Sequence, residues 1–251
     1  MEATAVLDAL FRWIHIVAGI IWIGLLYFFN FVNGPFAATM DGPTKQKVVP
    51  ELMPRALFWF RWGAAWTWVT GVLLLLIVFW HGGLMFPAGR GWSLLGVLMI
   101  LVTFFVAALY DVLAKSGWGK DIRLLAGVGW ALAVLVILGY LGASFSYRAY
   151  VIHTGAMFGT IMAFNVWMRI WPAQRQIITA TKQGTAPDPA LVALAGARSR
   201  HNTYLSVPLV WAMINYHTSA FSNVAYLILA IPLGWAAVYL IYNKAGTVKG
   251  F

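Results

Sequence analysis

Five histidines and the absence of cysteine bound the chemistry open to this chain of 251 residues. Without thiols there is no thiolate metal site, no iron–sulfur cluster and no covalently attached c-type haem, which needs a Cys-x-x-Cys-His sequence. A redox centre would have to be held by histidine or methionine. Neutral imidazole is a standard axial ligand of b-type haem, and two imidazoles on different helices at one depth can grip an iron from both faces. His15 and His153 sit inside apolar runs, His81 and His217 at the edges of such runs, and His201 behind a basic stretch. No His-x-His or His-x-x-x-His pair is present, so a zinc or copper site, which wants three or four ligands, has a weaker signal.

The elements that must position these side chains follow from composition. Hydrophobic residues make up 62% of the chain and charged residues 10%, with a mean hydropathy of +0.80. Soluble domains carry about a quarter charged residues. The oily surface must therefore face lipid, which makes the expected fold an all-α, polytopic integral membrane bundle of about seven transmembrane helices. The candidate spans are 7–31, 56–80, 93–114, 124–145, 150–171, 203–219 and 221–242, forming a single transmembrane domain over 1–251. Two long connections are expected, 33–55 and 173–202. The first holds Gly34-Pro35, Gly42-Pro43, Pro50 and Pro54, which read as turns. The second reads as an extension of helix five, a break at 184–187 and a short amphipathic helix begun by Asp188-Pro189.

The net charge of +10 is a topology signal and not a nucleic-acid footprint. Lys45, Lys47, Arg55, Arg61, Lys115, Lys120, Arg123, Arg169, Arg175, Lys182, Arg198, Arg200, Lys244 and Lys249 fall on one side of the seven spans. Only Arg12, Arg90 and Arg148 fall on the other. The positive-inside rule then puts the N-terminus outside and the C-terminus in the cytoplasm.

This topology places His15, His81, His153 and His217 near the outer face. His15 and His153 are the expected ligands of a haem b at roughly 5–12 Å depth, counted at 1.5 Å per residue. Gly19 and Gly155 leave gaps for a flat macrocycle, and Arg12 and Arg148 are placed to meet its propionates. His81 with His217 forms a second pair that could hold a second haem or a metal, or line a polar pocket. Each of these groups also has a plainer reading, as interfacial residues or as helix packing. His201 is expected to face headgroups or solvent, and Asp111 to pair with Arg61.

Three blocks of sequence are more than generic apolar helix. Arg12-Trp13-Ile14-His15 through Gly24, followed by Tyr27-Phe28-Phe29-Asn30-Phe31, resembles the opening helix of the bacterial membrane-bound urate oxidase (urate hydroxylase) family. Asn165-Val166-Trp167 through Gln174 and Ser199-Arg200-His201-Asn202 through Pro208 extend that resemblance along the chain. Full-length members of the family join a membrane domain to a C-terminal c-type cytochrome, which this sequence lacks. The resemblance implies a haem-b redox protein of the bacterial inner membrane, with its N-terminus periplasmic. It would oxidise urate or pass electrons to a separate cytochrome c or to quinone. A urate site near the outer face would draw on His81, Arg90, Tyr147, Asn215 and His217. Two other classes stay open: a non-catalytic subunit of a larger respiratory or photosynthetic complex, and a small-molecule transporter.

Overall fold

The computed structural model describes residues 2–248, the side chains of Glu2 and Lys120 apart; Lys249, placed above with the basic tail, lies outside them. Seven helices carry the described chain: α1 (Ala3–Thr39), α2 (Gly42–His81), α3 (Leu94–Lys115), α4 (Ile122–Gly142), α5 (Tyr147–Lys182), α6 (Pro189–Asn215) and α7 (Val224–Ala245). All except α6 are apolar enough to cross a membrane by composition alone. At 1.5 Å per residue α6 is also long enough, but its first half carries Arg198 and Arg200.

Local chemistry sets most helix starts. Asp41, Ser93, Asp121, Ser146, Asp188 and Asn223 each accept a hydrogen bond from a backbone N–H of the following turn. These caps satisfy donors that the first helical turn leaves unpaired. Three π-turns occur in these helices: Phe28–Asn33 and Val166–Ile170 lie inside α1 and α5, and Leu75–His81 closes α2.

The expected long connections are mostly helical. Only Met40 and Asp41 separate α1 from α2, and Pro50 and Pro54 lie inside α2. Their four-residue spacing puts both missing N–H groups on one face, a pattern that can bend a helix without breaking it. Likewise, the short amphipathic helix and span six are one continuous α6, with Pro208 inside it.

Helices pack closely through small residues. A Cβ on Gly63 of α2 would lie 3.2 Å from the Ala18 carbonyl oxygen and the Trp22 nitrogen of α1. One on Gly234 of α7 would lie 2.8 Å from Pro208 Cδ. Burial is inverted relative to a soluble protein. Trp13, Ile20, Leu94, Phe105, Leu233 and Leu240 are exposed, while Thr103, His153, Asn165, Asn202, Thr203 and Ser206 are buried. This arrangement fits a lipid-facing surface around a hydrogen-bonded interior. Gly63→Val should therefore push α1 off α2 and cost about 1–3 kcal/mol. Thermal unfolding in detergent measures this, and an unchanged melting point would refute the close contact.

Candidate functional site

His15 lies twelve residues beyond Ala3, where α1 begins, so it stands further along the helix than the two turns expected. Its Nδ1–H donates to the Thr67 carbonyl at 2.9 Å, and its ring packs 3.0 Å from where a Gly71 Cβ would stand. A carbonyl can only accept, so Nδ1 holds the proton and Nε2 keeps a lone pair.

His153 is fully buried near the start of α5. Its Nδ1–H donates to the Ala149 carbonyl at 2.8 Å, and the Trp80 indole N–H donates to Nε2 at 3.0 Å. Phe79, Trp80, Tyr140 and Phe145 surround the ring with centroids 5.2–6.3 Å away. The π-turn at the end of α2 carries Phe79 and Trp80 into this box.

These contacts separate the two histidines. Along α2, His15 meets residues 67–71 and His153 meets residues 79–80. That spacing of roughly ten residues is about 15 Å of helix. His153 has both nitrogens occupied and aromatic walls on its sides. The pair expected to hold one haem iron is therefore not assembled, and the residues around His153 do not fit an axial ligand. Gly155, expected to leave room for a macrocycle, is instead filled from α6: a Cβ there would meet Met213 at 3.0 Å and Ala212 at 3.2 Å. Gly19 faces Thr67 of α2 at ordinary contact distance. Nor does any group of three described His, Asp or Glu side chains converge as metal ligands.

Another group of expected residues does come together where α1 begins and α6 ends. Arg12 Nε donates to Asp8 at 2.8 Å, and its NH1 donates to the Tyr216 hydroxyl at 3.3 Å. The His217 ring lies 3.8 Å from that of Tyr216, centroid to centroid. Partial burial, and then the positive charges of Arg12 and Arg148, push the His217 pKa below its ordinary value. Tyr147 donates to the Asn215 carbonyl at 2.8 Å and Asn215 Nδ2 to the Trp211 carbonyl, so these two mainly hold α5 and α6 in place. Phe79 bridges to Tyr216 with ring centroids 5.9 Å apart, joining the ends of α2 and α6. His81 and Arg90 are exposed, and neither side chain has a hydrogen-bond partner among the described residues.

At the opposite end, the sequence misplaces two groups. Asp111 does not pair with Arg61. It bonds Arg169, Lys115 at 2.7 Å and Arg198 at 3.0 Å, while Arg61 lies over the Trp171 ring at 3.9 Å. Nor is His201 a headgroup-facing side chain. It bonds the Tyr110 hydroxyl at 2.8 Å and lines an apolar cavity of about 420 Å³. The signal for this was available: Arg198, Asn202 and Ser206 recur at helical spacing, and all three are buried.

The family model described as urate oxidase N-terminal matches residues 42–248, which spans α2 to α7 and leaves α1 outside. No curated protein and no solved structure matches.

Proposed function

We propose that this chain, which belongs to the urate oxidase N-terminal family, is an inner-membrane oxidoreductase acting on urate or a similar anionic purine, bound where α1 begins and α6 ends. In that reading water supplies the oxygen of the hydroxylated product. Two electrons and two protons leave the substrate, the electrons passing to a separate cytochrome c or to a quinone. No step is assigned to haem b, because the histidine pair expected to hold it is not assembled.

The observation that carries this reading is the contact of Arg12 with the Tyr216 hydroxyl and of the His217 ring with the Tyr216 ring, with the exposed Arg148 adding positive charge near His217. Urate is planar and anionic at neutral pH. Two guanidinium groups suit its charge and oxygens, and the Tyr216 face suits its ring. His217 has its pKa lowered and is neutral at pH 7, so it can accept a proton as the substrate is oxidised. The positive-inside charge pattern supports placing this end in the periplasm.

Equilibrium dialysis of urate against the purified protein tests the site. Arg12→Gln and Arg148→Gln should each weaken binding roughly tenfold, the loss of about 1.4 kcal/mol from one charged contact. Retention of the melting point separates this from misfolding. Urate loss with cytochrome c as acceptor tests the reaction. Absent urate binding, or binding indifferent to both substitutions, would overturn the proposal.

A further inference from the structure

The cavity of about 420 Å³ lies at the other end of the bundle, among α3, α4, α5, α6 and α7. It falls in the size range of small-molecule sites. Its walls are mostly apolar, with Leu109, Leu132, Met157 and Phe158 among them, and Arg123 is the charged residue that lines it. Small residues of α4 and α7, Ala126, Gly129, Ala133 and Ala236, are part of its lining.

Among the hydrogen-bonding groups at this wall, His201 has its proton set by a chain of bonds. The Met162 carbonyl can only accept, so it is the Asn202 amide nitrogen that faces it, at 2.9 Å. Asn202 then turns its Oδ1 to Asn165, whose Nδ2 donates to it at 2.8 Å and to the Tyr110 hydroxyl at 3.0 Å. With its oxygen accepting from Asn165, Tyr110 has its own proton to give to His201 Nδ1 at 2.8 Å. The remaining His201 nitrogen, Nε2, therefore carries a hydrogen, and it has no partner among the described residues. Arg198, over the Tyr110 ring at 5.1 Å and bonded to Asp111, holds this network from behind. Trp235, another lining residue, has a buried indole N–H without a partner.

His201 Nε2–H, a neutral donor set among apolar side chains, suits a ring carbonyl, while Arg123 also lines the cavity. Aromatic residues at the wall, Phe158, Tyr204 and Trp235, suit a flat ring. The apolar lining and the lipid around the bundle suit a ligand that arrives from the bilayer. We propose that this cavity binds a lipid-soluble quinone, one ring carbonyl accepting from His201 Nε2–H. Its use as the electron acceptor rests on the function proposed above, but its binding does not.

The test uses the full chain in nanodiscs of defined, quinone-free lipid, with a short-chain ubiquinone as ligand and its azido derivative as photolabel. Binding of one quinone per chain is expected, with label on peptides of α4, α6 and α7. Ala133→Phe, which fills the cavity, should weaken binding at least tenfold, and His201→Leu several-fold. Urate binding and the melting point should be unchanged in both variants. Label spread over the lipid-facing helices, equal affinity in both variants, or a haem spectrum lost in Ala133→Phe would each overturn the proposal. Should the variants fail to fold, the label map of the unaltered protein decides. Quinone binding without urate binding would reject the proposed substrate and keep this site.

Discussion

Replacing Asp111 by alanine is expected to destabilise the bundle by about 3–5 kcal/mol, the cost of breaking a buried ion pair by removing one partner. Its side chain is 8% exposed and serves three cations. Lys115 and Arg169 can turn toward water or headgroups when the carboxylate goes, since both are partly exposed. Arg198 cannot. It is 1% exposed, its NH1 already lacks a partner, and Asp111 is its one charged contact among the described residues. The variant would leave a guanidinium without its counter-charge among α3, α5 and α6. The double variant Asp111→Ala/Arg198→Met should recover at least half the loss, because an apolar pair of similar volume removes the buried charge altogether. Thermal unfolding in detergent reads both. A single variant within 1 kcal/mol of the parent, or a double variant no better than the single, would show that Arg198 is not held by this carboxylate.

Arg198 also shows how far the sequence could be read. Apolar runs of spanning length identify the helices because lipid imposes that length, and all seven expected spans overlap an observed helix. Hydropathy says nothing about rotation. It could not tell that Asp111 turns toward α5 and α6, or that Arg61 turns to Trp171. The segment 173–202 read as a connection because its basic residues depress the hydropathy that marks a span. Of those residues only Arg198 is buried in the bundle, while Arg175, Lys182 and Arg200 stay exposed. Pro50 and Pro54 misled in the same direction, since a turn signal weighs less when bundle packing holds the helix. At the site, residue type was legible and partnership was not. Arg12 and His217 both meet Tyr216, at one end of the bundle as the sequence implied. His15 and His153 share that side but meet different stretches of α2.

The same difference makes His153 the most demanding position on α5. His153→Ala should cost about 4 kcal/mol or more. Truncating a ring in a filled core costs roughly 3–5 kcal/mol, and a lost hydrogen bond inside a membrane bundle adds roughly 0.6–2 kcal/mol. The ring is 0% exposed and filled around by Phe79, Trp80, Tyr140 and Phe145, so neither water nor a neighbour replaces it readily. Trp80→Phe keeps the packing and removes only the N–H that bonds Nε2, so it should cost about 1–2 kcal/mol. Because both substitutions break one shared bond, their effects should sum to more than the loss measured in the double variant. His15→Ala removes a half-buried ring with one principal bond, to Thr67, and should cost less than His153→Ala. Melting in detergent orders the three. The outcome that would overturn the structural role is spectroscopic. If the purified protein carries a low-spin haem that both His15→Ala and His153→Ala abolish at unchanged stability, then Trp80 must leave Nε2 and the two imidazoles must meet on one iron.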